Sequence, residues 1–311
     1  MSRTILRVEK VPDSLVDQLL PNHNIVELGK MSAEEIESVA SDIYVILASG
    51  ESKVAASLIN RLPNLKLIAV FGVGYDGVDI HAAFQHGVQV TNTPNVLTDD
   101  VADLGMALML TASRQIVGAQ RFIENNGWHA KPYKLTTKVS GGRLGIVGFG
   151  RVGQAVAKRA TGFAMNIAYF DKYPGANSAF TFYPSIVELA YNSDFLMICA
   201  SSGPDTAKMI NHDVLSALGK DGVLINIARG SVIDEPALVN AINDGTIAGA
   251  GLDVFAHEPN VPPALLNRDN VVLTPHIGSA THATRTAMAD LVIANIKAFY
   301  AGTPLLTPVA Q

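Results

Sequence analysis

The 311-residue chain lacks most features of secreted, membrane-embedded or nucleic-acid-binding proteins. Its single cysteine, Cys199, cannot form an internal disulfide, which favours a reducing, cytoplasmic location. No apolar run reaches about 18 residues and the start, MSRTILRVEK, has no signal-like stretch, so we expect neither a membrane span nor a secretory signal. With 23 Lys and Arg against 28 Asp and Glu, no basic surplus is present to bind nucleic acid.

The apolar residues indicate an α/β protein. They make up 48% of the chain, and they fall in short continuous runs separated by segments of helical spacing. Continuous runs are typical of parallel strands that are covered on both faces. The predicted strands are Ile43–Ala48, Leu67–Val70, Val88–Thr91, Leu144–Val147, Ile167–Phe170, Phe195–Cys199, Val223–Asn226, Gly249–Asp253 and Val271–Leu273.

The length, about twice that of a usual domain, predicts two domains. A long helix predicted to begin near Thr98 separates them, because Thr98 is a good N-cap and acidic residues follow it. We expect residues 1–97, completed by 286–311, to form one domain, and 98–285 the other. Two lobes with parallel sheets and a cleft between them are the predicted architecture.

A glycine-rich loop is the first motif that points to a ligand. The strand RLGIV leads through Gly148, Gly150, Arg151, Val152 and Gly153 into the helix-forming run QAVAKRA. In a dinucleotide site the first glycine permits the sharp turn, the second lets the backbone approach the pyrophosphate, and the third lets helix and strand pack closely. We therefore assign these five residues to cofactor binding. The motif makes 98–285 the expected NAD(P)-binding Rossmann domain and 1–97 with 286–311 the expected substrate-binding domain, so the two lobes are predicted to be Rossmann-like or flavodoxin-like.

An acidic residue follows the loop at the spacing that a dinucleotide site requires. Asp171 lies 23 residues after Gly148, at the end of the run NIAYF, where a carboxylate accepts hydrogen bonds from both ribose hydroxyls. The carboxylate would repel the 2′-phosphate of NADPH, although the neighbouring Lys172 weakens this selectivity for NADH. The sequence thus favours NADH, with NADPH possible.

Three polar residues follow apolar runs further along: Arg229 in NIARGS, Glu258 in DVFAHEP and His276 in LTPHIGS. The carboxyl ends of parallel strands converge on one crevice, so these side chains can share a site with the cofactor. A guanidinium binds a 2-oxo acid in two-pronged fashion, an imidazole exchanges a proton near neutral pH, and an adjacent carboxylate orients the imidazole. Together they suit hydride transfer to a 2-oxo acid.

Each of the three has an ordinary alternative: a surface bridge for the arginine, a loop acid for the glutamate, a buried histidine for His276. The remaining histidines show no convincing metal-ligand spacing, and no metal site is predicted. Cys199 closes an apolar strand and is interpreted as a packing residue rather than a nucleophile.

An ordered series of motifs strongly resembles the D-isomer-specific 2-hydroxyacid dehydrogenases. The series is FGVGYDGVD at 71–79, TPNVLTDDVAD at 93–103, GIVGFGRVG at 145–153, INIARGSVIDEPAL at 225–238, GAGLDVFAHEP at 249–259 and TPHIGSAT at 274–281. It covers most of residues 40–285 and is far more specific than the glycine loop.

The resemblance implies roles for individual residues. Arg229 would bind and polarise the 2-oxo acid, His276 would donate the proton, and Glu258 would keep that histidine protonated and aligned. Asp253 would contact the nicotinamide amide, and Ala228 belongs to the cofactor-binding set. The backbone amides around Val73 and Gly74 look like the family's carboxylate cradle, and Ser49 and Gly50 are weaker candidates for substrate contacts.

The runs at 136–153 and 257–281 look most like the glyoxylate/hydroxypyruvate, hydroxyphenylpyruvate and 2-ketogluconate reductases, which favours glyoxylate or hydroxypyruvate as substrate. Trp128 resembles an aromatic residue that reaches a neighbouring subunit's site in some dimers, so a homodimer is expected; core packing is the alternative. A lactate- or phosphoglycerate-type dehydrogenase is the runner-up. An NADH-responsive, co-repressor-like protein-binding module is the alternative from another functional class.

Overall fold

The computed structural model describes residues 4–9, 11–175 and 179–310. Twelve strands are found in this part of the chain: β1 Thr4–Arg7, β2 Asn24–Glu27, β3 Ile43–Ser49, β4 Leu67–Phe71, β5 Gln89–Thr91, β6 Arg143–Val147, β7 Asn166–Phe170, β8 Thr181–Phe182, β9 Phe195–Ile198, β10 Val223–Asn226, β11 Gly249–Leu252 and β12 Val271–Leu273. The α-helices of the same described residues are α1 Asp13–Leu19, α2 Ala33–Val39, α3 Ala56–Asn60, α4 Ile80–Gln85, α5 Thr98–Ser113, α6 Ile116–Glu124, α7 Arg151–Thr161, α8 Ile186–Tyr191, α9 His212–Leu218, α10 Glu235–Asp244 and α11 His282–Ala301.

The chain divides into two compact units. The first comprises Met1–Leu97 and Ala280–Gln311, and the second comprises Thr98–Ser279. The chain returns to the first unit at Ala280 rather than at the expected position 286. The physical reason is α11, which Thr281 caps by accepting a hydrogen bond from the Thr284 N–H and which therefore joins the first unit as one piece.

The first unit contains a five-stranded sheet of order β2-β1-β3-β4-β5, and every strand pair in it is parallel. This is the flavodoxin-like order. Strand β4 is apolar and buried throughout, and β3 is apolar and mostly buried up to its last residue, Ser49, as expected for strands covered on both faces.

The second unit contains a seven-stranded sheet of order β12-β11-β10-β9-β6-β7-β8, again parallel throughout. Counted from β6, six of these strands follow the Rossmann order 3-2-1-4-5-6, and β12 adds a seventh. The strand order reverses between β6 and β9, and ligands bind at the carboxyl end of such a reversal. The predicted α/β class with parallel sheets is confirmed. No helix among the described residues is both long and apolar enough to cross a bilayer.

Candidate active site

The glycine loop lies at the reversal of strand order in the second unit, between β6 and α7. Gly148 has a φ of +90°, and a Cβ there would lie 2.5 Å from the Cα of Ala200 on the loop after β9. A Cβ on Gly153 would collide with the carbonyl oxygen of Gly148. Both positions therefore require glycine for the fold itself, which allows the loop to lie against β9 and α7 to pack against β6.

Gly150 requires a different explanation. It is the N-cap of α7 with an ordinary φ of −72°, and within the described chain no heavy atom lies within 4 Å of a Cβ placed on it. The space beside this backbone is thus open, at the positive end of an eleven-residue helix that begins with Arg151 and Val152. A pyrophosphate fits such a cradle, because backbone N–H groups and the helix dipole both favour an anion there.

Asp171 lies at the end of β7 and is tied to the glycine loop. One carboxylate oxygen accepts a hydrogen bond from the Phe149 N–H at 2.7 Å, and the other accepts one from the Lys172 N–H at 2.7 Å. These bonds fix the orientation of the carboxylate beside the loop. Each carboxylate oxygen has a second lone pair for a ribose hydroxyl, so the geometry fits the adenosine end of a dinucleotide.

Arg229 follows β10 on a loop that a buried asparagine holds. The Asn226 side chain, fully buried, accepts a hydrogen bond from the Ala228 N–H and donates one to the carbonyl oxygen of Arg229. A Cβ on Gly230 would collide with the carbonyl of Phe255. The arginine loop therefore packs backbone to backbone against the segment that precedes Glu258.

Glu258 and His276 form a direct pair. One carboxylate oxygen of Glu258 lies 2.8 Å from Nδ1 of His276, and the other accepts a hydrogen bond from the Phe255 N–H at 2.9 Å. The two side chains are only 24% and 32% exposed, so solvent screens their interaction incompletely. Because Nδ1 faces the carboxylate, the transferable proton of the imidazolium is the one on Nε2.

The loop that carries His276 is held by Asp253. This side chain, 1% exposed, accepts hydrogen bonds from the Ile277 and Gly278 N–H groups at 2.8 Å and from the Thr274 hydroxyl at 2.7 Å. Burial raises the pKa of the Asp253 carboxyl, and these hydrogen bonds oppose the shift. His276 itself has a φ of +51°, an uncommon conformation for a residue with a side chain. Asp253 thus stabilises an unusual turn that orients the imidazole.

In the first unit, the end of β3 and the loops after β3 and β4 bring together four of the six predicted substrate-binding residues, Ser49, Gly50, Val73 and Gly74. A Cβ on Gly72 would lie 3.2 Å from the Cα of Gly50, so the segments 49–50 and 72–74 are in close backbone contact. The Ser49 N–H donates to the Ser52 hydroxyl at 2.8 Å, which fixes the first of these loops. The arrangement presents backbone groups, as a carboxylate cradle requires.

Sequence reasoning missed several residues that hold these loops. Asn226 belongs to the motif NIARGS and holds the loop of Arg229. Its position, as a polar residue at the end of an apolar strand, could have identified it from the sequence. Glu235 accepts a hydrogen bond from the Ala256 N–H at 2.9 Å. Arg285 lies with its guanidinium 5.4 Å from the centre of the Phe71 ring, and burial lowers its pKa while the carboxylate of Glu51 opposes this shift. This half-buried cation offers a further group for a polar or anionic ligand.

Comparison with known proteins gives a consistent result. The family model described as "D-isomer specific 2-hydroxyacid dehydrogenase, NAD binding domain" matches residues 106–278. The chain is 48% identical over 270 residues to a hydroxyphenylpyruvate reductase of Plectranthus scutellarioides, covering 87% of this chain and 86% of the relative. It is 43% identical to a glyoxylate/hydroxypyruvate reductase of Arabidopsis thaliana, with 88% of each covered. The structure of an NADPH-dependent glyoxylate/hydroxypyruvate reductase from Sinorhizobium meliloti, in complex with NADP and malonate, has a TM-score of 0.92 and 41% identity, covering 100% of this chain and 97% of that one.

Proposed function

The chain belongs to the D-isomer-specific 2-hydroxyacid dehydrogenase family of nicotinamide-dependent oxidoreductases, and from this premise we propose that it reduces glyoxylate or hydroxypyruvate to the 2-hydroxy acid, of D configuration where a stereocentre forms. The observation that carries the proposal is the His276–Glu258 pair, 2.8 Å apart, on a turn held by Asp253. An acid of this kind is what the developing alkoxide of a reduced carbonyl requires.

Three residues of the second unit carry the chemistry. The guanidinium of Arg229 binds the 2-oxo acid and polarises its carbonyl. His276 donates the Nε2 proton to the carbonyl oxygen, and the Glu258 carboxylate stabilises the positive charge of the imidazole until the proton leaves. A reduced nicotinamide, when bound, supplies the hydride, with Asp253 and Ala228 among the residues that would hold it.

The first unit is proposed to bind the substrate carboxylate. The N–H groups of Val73 and Gly74 are the donors, and the Ser49–Gly50 loop, which packs against the same segment, contacts the rest of the substrate. Backbone donors suit this task because they form hydrogen bonds without placing a side chain in the path of the substrate.

NADH is the proposed preferred coenzyme, with NADPH as the weaker one. The support is Asp171, whose carboxylate is held beside the loop by two backbone N–H groups and would repel a 2′-phosphate. Lys172 offers a 2′-phosphate little compensation, because it is exposed and its ammonium faces Asp205 at 3.5 Å.

The test is a kcat/KM panel over small 2-oxo acids with both coenzymes. We expect oxidation of NADH with glyoxylate or hydroxypyruvate, abolished in His276→Ala and retained in His212→Ala, whose histidine lies exposed on α9. Absence of turnover across the whole panel would contradict the proposed reaction and favour a protein-binding role.

The coenzyme preference has its own test. Asp171→Ala should narrow the ratio of kcat/KM for NADH over NADPH, whereas Asp221→Ala, which removes an exposed aspartate paired with Lys220, should leave it unchanged. An unchanged ratio in Asp171→Ala would show that another residue reads the ribose.

A homodimer is also proposed, from apolar side chains of the second unit that remain exposed. Ile116, Ile123, Trp128 and Leu135 are 52%, 57%, 71% and 98% exposed, and Gly118 alone is buried in α6. Exposed apolar groups concentrated in one segment are typical of an association surface. Sedimentation equilibrium of the wild type and of Trp128→Ala tests it, and a monomeric wild type at micromolar concentration would refute it. The cytoplasmic location stays a prediction.

A further inference from the structure

Two consecutive peptide groups in the first unit form the proposed carboxylate cradle. The carbonyl of Gly72 shares one planar, trans peptide with the N–H of Val73, and the carbonyl of Val73 shares the next with the N–H of Gly74. In a trans peptide the N–H points away from the carbonyl. Whatever holds these two carbonyl oxygens therefore sets the direction of the two N–H donors.

Both carbonyl oxygens are held by the segment after β5. The Thr93 N–H donates to the carbonyl oxygen of Gly72 at 2.8 Å, and Nδ2 of Asn92 donates to the carbonyl oxygen of Val73 at 2.8 Å. In the described part of the chain, neither the Val73 nor the Gly74 N–H makes a hydrogen bond of its own. A carbonyl that accepts a hydrogen bond also makes the N–H of its peptide a stronger donor.

Asn92 is itself fixed by the segment that follows α11. The Thr307 hydroxyl donates to the backbone carbonyl of Asn92 at 2.6 Å, and the Asn92 N–H donates to the carbonyl of Thr307 at 3.4 Å. The Val309 N–H donates to the carbonyl of Val90 at 2.8 Å, so this segment runs antiparallel along the edge of β5. The position of Asn92 thus depends on residues at the far end of the sequence.

A buried asparagine on α11 anchors that segment. Asn295 is 1% exposed and uses its whole amide: Nδ2 donates to the Thr307 hydroxyl and to the carbonyl of Leu291, both at 2.9 Å, and Oδ1 accepts from the Leu306 and Thr307 N–H groups. The hydrogen bonds therefore form a continuous chain from α11 through Thr307 and Asn92 to the peptide of the cradle.

We propose that Asn92, held by Thr307 and Asn295, is a positioning residue that aims the Gly74 N–H at the substrate carboxylate. The inference rests on the proposed function, because it assigns a cause to the geometry of the proposed cradle. It predicts a specific kinetic signature: weaker binding of the 2-oxo acid with an unchanged chemical step. A residue that only supported the fold would lower the active fraction, and hence apparent kcat, and would leave KM unchanged.

The test compares Asn92→Ala with Asn64→Ala. Asn64 is a matched control because its Nδ2 also donates to a backbone carbonyl, that of Ser41, at 2.8 Å, and it precedes β4 whereas the cradle follows it. We expect the KM for glyoxylate to rise about tenfold in Asn92→Ala, the size of one weakened hydrogen bond to a charged group, with kcat and the Kd for NADH within about twofold of wild type. Asn64→Ala should leave all three quantities unchanged.

Thr307→Val provides a second variant, which removes the hydroxyl without changing side-chain size. Its control is Thr303→Val, which loses a hydrogen bond from the Thr303 hydroxyl to the carbonyl of Ala298 at 3.3 Å. We expect about a threefold rise in KM, and a double variant with Asn92→Ala no worse than Asn92→Ala alone, because both act through one chain of contacts. An unchanged KM in Asn92→Ala, or an unchanged KM in Thr307→Val where Asn92→Ala does not fold, would overturn the inference.

Oxamate binding separates this inference from the proposed function. Oxamate carries the same carboxylate but is not reduced, and its binding to the NADH-loaded protein is followed by quenching of NADH fluorescence. A wild type without any turnover would refute the proposed function; weaker oxamate binding in Asn92→Ala would still support the inference. Equal binding by the two proteins, or none by the wild type, would overturn it.

Discussion

The substitution Gly150→Ala separates coenzyme binding from folding. A Cβ on Gly150 meets no described heavy atom within 4 Å and the residue has an ordinary φ of −72°, so alanine costs the free protein only about 1 kcal/mol as a poorer N-cap. The bound pyrophosphate, in contrast, would be pushed away by the methyl group. Loss of one N–H hydrogen bond to a charged oxygen, about 1.5–3 kcal/mol, raises the Kd for NADH roughly 10- to 150-fold.

Isothermal titration calorimetry measures the Kd for NADH, and urea unfolding of the free protein measures its free energy of unfolding. Two further variants calibrate them. Gly148→Ala should destabilise the protein itself, because its φ is +90° and its Cβ would lie 2.5 Å from Ala200. Gly245 has a φ of +77° and open surroundings, so Gly245→Ala measures the cost of a positive φ alone, about 1–2 kcal/mol. A Kd for NADH within threefold of wild type in Gly150→Ala would refute the assigned approach of the pyrophosphate.

Three other predictions concern single side chains. Arg229→Lys should lower kcat/KM at least about hundredfold, near 3 kcal/mol, because an ammonium cannot reproduce the two-pronged contact; an activity within threefold of wild type in steady-state assays would contradict this. Glu258→Gln should lower kcat at least about tenfold. Because the pair acts as a unit, the double variant with His276→Asn should lose no more kcat than His276→Asn alone. Additive losses in kcat would argue against the pairing. Desolvation raises the pKa of the Cys199 thiol from an ordinary 9.0 to about 12, although the residue keeps some solvent exposure. Because little thiolate forms at pH 8, the native protein should react slowly with iodoacetamide, and its free energy of unfolding should fall as the pH rises above about 9; rapid native alkylation, followed by mass spectrometry, would contradict the raised pKa.

Several of the strands that the sequence predicted correctly are buried along their whole length. β9 and β10 are four-residue runs without exposed positions, and a continuous apolar run is a signal that periodicity detects. The strands that it missed are β1, β2 and β8. The edge strand β2 is partly exposed, and β8 has only two residues, so neither produces a run long enough to recognise. Their pairing with a neighbouring strand, rather than their composition, makes them strands.

The same distinction applies to the site. Glu258 and His276 could be proposed as partners because both follow apolar strands whose carboxyl ends meet, and the structure brings their side chains into contact. The turn at His276 could not be predicted, because its positive φ depends on three hydrogen bonds to the buried Asp253. Sequence pattern indicates the groups that we propose to react, whereas their orientation depends on polar contacts made after the chain has folded.

The Asn92–Thr307 hydrogen bond is the clearest instance, since it joins residues 215 positions apart. Nothing in the local sequence around either residue distinguishes it from an ordinary loop asparagine or threonine. The contact exists because α11 returns the chain to the first unit and Asn295 then holds the following segment against β5. If this segment positions the peptide that binds the substrate, its loosening should alter substrate affinity before it alters stability, because the buried strands β3 and β4 hold the sheet without it. Hydrogen exchange at Thr307 and the KM for glyoxylate should then change together in Asn295→Ala, and a change in one without the other would show that the segment and the cradle are independent.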